Sequence, residues 1–109
     1  MKAIHLLQND PTLKPWPIEN KSEIYDSGYW DVTPKRAEEL IGKEIYFYET
    51  QRSASFFGGI ILSFRIEPYR IKADGQPKDR IIFRFTPGRE FRGRKTGPEG
   101  WSMEMKFED

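Results

Sequence analysis

The apolar residues of this chain fall into short runs rich in β-branched and aromatic side chains, and that pattern restricts it to a fold made mostly of strands. Ala3 to Gln8 is an apolar run that halts at the turn-forming Asn9-Asp10-Pro11. Lys43 to Glu49 carries apolar side chains on both faces, as a central strand does. Phe56-Phe57-Gly58-Gly59 opens a further strand from Ile60 to Ile66, which Glu67-Pro68 is expected to interrupt. A strand near 69–72, a turn at 73–76 and a strand from Arg80 to Thr86 read as a hairpin. Trp101 to Phe107 alternates apolar and polar residues, so a half-buried last strand is predicted.

Only one stretch reads as a helix. Thr33 can cap it with its hydroxyl, Pro34 suits the first helical position because the N–H it lacks would be unpaired there, and Gly42 fits a left-handed stop. Ala37, Leu40 and Ile41 form a narrow apolar face, while Lys35, Arg36, Glu38 and Glu39 stay in water. Residues 11–28 hold three prolines and no sustained period, which predicts a long surface loop pinned by Trp16 or Tyr25, with Asp26-Ser27-Gly28 as a turn. Residues 87–99 are glycine-rich and basic and read as a mobile arm. With 109 residues there is room for one domain, spanning 1–109. Five or six mostly antiparallel strands with one or two short helices give a mainly β (α+β) class, and so many short strands favour a small β-barrel that hides its edges.

Composition narrows the chemistry. There is no cysteine, which excludes disulfides, thiolate metal sites and a cysteine nucleophile. The single histidine, His5, cannot form a two-histidine metal motif, so no metal and no cofactor is expected; in its apolar run it reads as a satisfied core imidazole. No apolar run is long enough to span a bilayer, and a soluble, cytoplasmic protein without membrane association is expected. Sixteen of the residues are aromatic, so rings should dominate the core. Net charge is +1, yet residues 65–95 carry ten basic side chains against four acidic ones, enough for a local patch.

A strand, a proline-rich loop, an aromatic pair (Tyr29, Trp30) before a short helix, then Gly42-Lys43-Glu44-Ile45-Tyr46-Phe47-Tyr48-Glu49, a polar loop and Gly58-Gly59-Ile60-Ile61 together resemble the PUA-like superfamily, in particular its EVE and ASCH branches. That resemblance implies a barrel that holds one nucleobase, often a modified one, in an aromatic pocket beside a basic groove. The positions it points to are Asn9, Tyr29, Trp30 and the stretch from Glu49 to Phe57. The residues themselves fit such a role. An indole offers a flat face for stacking, although Trp30 equally suits an anchor between helix and barrel. Asn9 and Glu49 can read a base edge or simply end strands. Ser53, Ser55 and the amides of Gly58 and Gly59 can bind a phosphate or base carbonyl, or form a plain bulge. Arg84, Arg89, Arg92, Arg94 and Lys95, with Phe91 among them, suit a nucleic-acid backbone or a solvated loop. The expectation is therefore a non-catalytic domain that binds a nucleic acid or nucleotide. The alternatives are a small amidohydrolase of ASCH type acting on a modified nucleoside through Lys21, Glu49 and Ser55, and a protein-interaction module linked to defence against foreign DNA.

Overall fold

The computed structural model describes residues 1–8, 16–18, 21–70 and 77–109. They form strands β1 (Ala3–Leu7), β2 (Trp16–Ile18) and β3 (Lys21–Trp30), helix α1 (Pro34–Glu39), strands β4 (Glu44–Tyr48), β5 (Phe57–Arg70) and β6 (Pro77–Pro87), a 3-10 turn (Arg89–Phe91) and β7 (Met105–Glu108). One sheet holds all the strands in the order β2-β3-β6-β5-β4-β1-β7. Neighbours are antiparallel except β1 and β4, which run parallel. The mainly β class and the mostly antiparallel pairing are those expected. Closure is not: among the described residues the sheet is open, with β2 and β7 at its two ends, and it has seven strands rather than five or six. No helix among the described residues is long and apolar enough to cross a membrane.

Strand alternation divides the side chains between two faces. On one, Ile4 and Leu6 of β1, Ile45 and Phe47 of β4, Trp30 of β3, Ile61 of β5 and Ile81, Phe83 and Phe85 of β6 pack with Val32, Ala37 and Leu40 at α1. The helix forms where predicted. The Thr33 hydroxyl accepts from the Arg36 amide at 3.2 Å, proline occupies the first turn, and Gly42 sits at φ +83 just beyond it. On the opposite face of β1 and β4, Ala3, Tyr46 and Tyr48 are buried with Phe91, and Trp101 packs against them. The apolar residues on both faces of β4 are thus matched by burial on both faces.

Two proline segments expected to stop strands are accommodated within them. β2 contains Pro17, which the sheet tolerates because β2 is an edge. β5 runs unbroken through Pro68, opposite Asp79 of β6; β4 pairs only with residues 57–60, so β5 has one neighbouring strand there and not two. The predicted last strand is cut to its second half. Ser102 and Met105 bond to each other across a tight turn, in which Met103 takes the left-handed region at φ +57.

The largest difference lies at Asp26-Ser27-Gly28. These residues bulge β3 and do not turn the chain. Asp26 pairs with Arg84 and Tyr29 with Ile82, so three steps along β3 oppose two along β6. Gly28 supplies the φ of +89 that the extra residue needs. The Ser27 hydroxyl accepts from the Phe83 amide at 2.9 Å and donates to the Gly28 carbonyl at 3.0 Å. Because alternation has a period of two, one extra residue exchanges the faces of everything after it. Trp30 therefore pairs with Ile81 and points into the core, while Tyr29 faces the other way beside Ile82.

Trp30 is 2% exposed and sits among the largest core side chains. Trp30→Ala should cost about 3–5 kcal/mol of unfolding free energy, the range for emptying a buried aromatic site. Tyr29→Ala should cost clearly less. Equilibrium urea denaturation of the two variants checks the order.

Candidate functional site

Where β3 passes into α1, a cavity of about 620 Å³ opens. Tyr29, Asp31, Val32 and Thr33 contribute from the junction and Arg36 from α1. Tyr69 and Arg80 come from the β5–β6 hairpin, and residues 102–105 with Phe107 close the far side. The bulge turns Tyr29 toward Tyr69, and their rings stack with centroids 4.6 Å apart and planes at 27°. At that spacing the stack is closed: a third flat ring can extend it but cannot enter it. The Arg36 guanidinium lies 4.5 Å from the centre of the Phe107 ring. Arg80 is held unusually dry for a cation with so few contacts among the described residues. Its side chain is 15% exposed, it donates to the Asp79 carbonyl at 3.1 Å, and the Asp31 carboxylate is 3.8 Å away and 78% exposed. Arg36 and Arg80 are balanced on the cavity wall by Asp31 and Glu104.

Of the candidate site residues that lie among the described residues, only Tyr29 lines this cavity. Trp30 does not: its indole is enclosed in the core and its N–H donates to the Ser27 carbonyl at 3.1 Å, so it acts as the anchor between helix and sheet. Asn9 lies outside the described residues, as does the side chain of Lys21, which heads β3. Glu49 is exposed past the end of β4. Phe57 belongs to a ring cluster with Tyr25, Phe47 and Phe85. Gly58 and Gly59 do mark a close approach, but what approaches is the protein. A Cβ on Gly58 would lie 2.8 Å from the Phe91 Cβ, and one on Gly59 would lie 2.9 Å from the Phe85 ring and run into the Thr86 carbonyl.

The basic stretch expected to be a mobile arm is fastened to the sheet by Ser55. The buried Ser55 hydroxyl donates to the Phe91 carbonyl at 2.6 Å and accepts from the Arg94 amide at 3.0 Å. Its backbone N–H donates to the Arg94 carbonyl and its carbonyl accepts from the Gly93 amide, each at 2.8 Å. Phe91 is buried beneath. The cations are divided accordingly. Arg84 lies on β6, 3.5 Å from Asp26; Arg94 pairs with Glu108 at 2.7 Å; Arg92 lies over the Phe57 ring; Arg89 and Lys95 are exposed.

Under this loop lies a second polar cluster. His5 is fully buried, with Nδ1 2.8 Å from the Tyr48 hydroxyl and Nε2 2.8 Å from Glu108 Oε1. A neutral ring satisfies both contacts when Nε2–H donates to Glu108 and Nδ1 accepts from Tyr48. Arg94 bonds to the same Glu108 oxygen, lies 4.9 Å over the Tyr46 ring and stands 3.8 Å from Glu44, to which the Tyr46 hydroxyl donates. Burial pulls the His5 pKa below its ordinary value, against the opposing pull of Glu108. Burial acts to raise that of Glu108, but the hydrogen bonds and charges of Arg94 and His5 outweigh it and hold the carboxylate below its usual range. Burial pushes the Tyr48 phenol well up, so it keeps its proton. The Tyr48, His5 and Glu108 contacts are therefore a strut that ties β1, β4 and β7 together, and His5 is the satisfied core imidazole predicted for it.

The residues at the cavity that sequence reasoning missed are Arg36, Tyr69 and Arg80. Arg36 reads as part of a wet helix face. Tyr69 and Arg80 meet Tyr29 only through the register of the long hairpin, for which the chain carries no local signal.

The strut makes stability depend on acid. A histidine whose folded pKa lies below its unfolded value stabilises fully above about pH 6.5, and that share is lost as the pH falls, by up to about 1.4 kcal/mol per pH unit. Glu108, also depressed, adds a loss of the same sign below its ordinary value of 4.5. Thermal unfolding between pH 7.5 and 5.5 should show the wild type losing midpoint temperature faster than His5→Gln; parallel curves would contradict the assignment.

Comparison of this chain with family models, with curated proteins and with solved structures finds no match.

Proposed function

We propose that this chain is a non-catalytic binding domain that takes up one base of a nucleic acid, or a free nucleotide, by extending the Tyr29–Tyr69 stack inside the cavity. The observation that carries the reading is this stacked pair on the wall of a cavity of about 620 Å³, a size suited to a small organic ligand. Stacking a base on an aromatic side chain contributes about 1–3 kcal/mol and tolerates any base. Arg36 and Arg80 bring N–H donors to the same wall, where carbonyl or phosphate oxygens can accept. Of the basic stretch, Arg89 and Lys95 are exposed and suit contact with a phosphodiester backbone, whereas Arg84 and Arg94 face carboxylates of the fold. The order of elements that resembles PUA-like domains, with their capture of single bases, supports the same reading. Hydrolysis through Lys21, Glu49 and Ser55 has less support, because the Ser55 hydroxyl is committed to the 91–94 backbone and Glu49 is exposed.

Binding of labelled single-stranded DNA and RNA oligonucleotides, followed by fluorescence anisotropy in about 50 mM salt, tests this. Tyr29→Ala and Tyr69→Ala should each weaken binding by roughly 5- to 150-fold. Trp30→Phe, which keeps a ring in the core, should leave it nearly unchanged. Absence of binding by the wild type, or equal binding by Tyr29→Ala, would overturn the proposal.

A further inference from the structure

Arg80 and Asp31 face the cavity as a donor and an acceptor placed side by side, and their contacts leave much of the capacity of each unused. A guanidinium has five N–H donors, yet among the described residues the Arg80 side chain makes one hydrogen bond, to Asp79, while being largely buried. Its distance of 3.8 Å from Asp31 is beyond a hydrogen bond, so the two charges are neighbours without being locked together. Asp31 is an acceptor only, with two oxygens on a side chain that is 78% exposed. A ligand that satisfies this couple must present an acceptor to Arg80 and, next to it, one or two donors to Asp31.

Resting on the proposed capture of a base at the Tyr29–Tyr69 stack, we infer that the Arg80–Asp31 couple selects guanine. The Watson–Crick edge of guanine sets the O6 acceptor beside two donors, N1–H and the N2 amino group. Arg80 donates to O6, and the Asp31 carboxylate accepts from N1–H and N2–H together, giving three hydrogen bonds. Adenine, cytosine and uracil each present a single donor on that edge, so Asp31 accepts one hydrogen bond from them where it accepts two from guanine. The cavity charges favour this use. Arg36 and Arg80 are offset by Asp31 and Glu104, so the cavity is no general trap for phosphate, and the base edge decides affinity.

Isothermal titration of the full chain with the 5′-monophosphates of guanosine, inosine, adenosine, cytidine and uridine tests the inference. The wild type should bind the guanosine nucleotide about ten-fold or more tighter than the adenosine, cytidine and uridine nucleotides, within the discrimination that a bidentate pair supplies. The inosine nucleotide, which has O6 and N1–H but no N2 amino group, should fall between. Asp31→Asn replaces one acceptor oxygen with a donor at an exposed position, and it should erase the preference for the guanosine nucleotide. Equal affinity for all five nucleotides, still dependent on Tyr29, would overturn the guanine assignment and leave base capture standing. A preference for guanine that survives Asp31→Asn would also overturn it. No binding of any nucleotide or oligonucleotide would remove base capture and the guanine assignment together.

Discussion

One extra residue in β3 sets the layout of the molecule. Ser27 and Gly28 occupy three steps of one strand against two of its partner, and that offset decides which of two adjacent aromatic residues is core and which is surface. In uninterrupted register Trp30 would stand opposite Arg80 and Tyr29 opposite Ile81. With the bulge, the indole joins Phe83, Phe85 and Phe47 in the core and the phenol meets Tyr69. The bulge is built to last: Gly28 adopts the positive φ, and Ser27 bonds both to the Phe83 amide and to the Trp30 indole, so the residue that makes the offset also satisfies the side chain it buries. The core and the cavity wall follow from the same backbone irregularity.

The other half of the sheet obeys a different constraint. β1 and β4 are apolar on both faces, so something must cover the face turned away from α1. The segment after β6 does so. Phe91 fills the hollow above Tyr46, possible only because Gly58 presents no side chain there, and Ser55 holds the loop down through four hydrogen bonds. Arg94 then reaches Glu108 and Glu44 over Tyr46, sharing the Glu108 oxygen with His5. A stretch whose composition suggests a solvated arm is in this way part of the packed structure, with Arg94 directed inward while Arg89, Arg92 and Lys95 stay exposed.

What could be read from the residues alone was whatever rests on local chemistry. The cap at Thr33, the proline after it and the glycine at 42 define α1 without reference to the rest of the chain, and the two apolar faces of 44–48 announce a central strand. Failures came where a residue type has two uses that only distant contacts separate. Asp26-Ser27-Gly28 suits a turn or a bulge equally, and β6 decides. Pro17 and Pro68 break a ladder between two strands but not at a strand with one neighbour. Gly58 and Gly59 signalled a close approach, while the partners proved to be the Ile45 carbonyl and Phe91 at Gly58 and Thr86 at Gly59, all supplied by the protein itself. At the site, Tyr29 was legible as an aromatic residue beside a helix. Tyr69 and Arg80 were not, because their meeting with Tyr29 depends on the pairing of strands that local sequence does not specify.

The opposed placement of two adjacent rings is the claim on which the account stands, and nuclear magnetic resonance during titration with an oligonucleotide addresses it most directly. The ring signals of Tyr29 and Tyr69 should move on binding, while the Trp30 indole N–H, bonded to Ser27 and cut off from solvent, stays in place and exchanges slowly with deuterium throughout. Movement of the Trp30 signal with Tyr29 unaffected, or rapid exchange of that N–H in the free protein, would contradict the account.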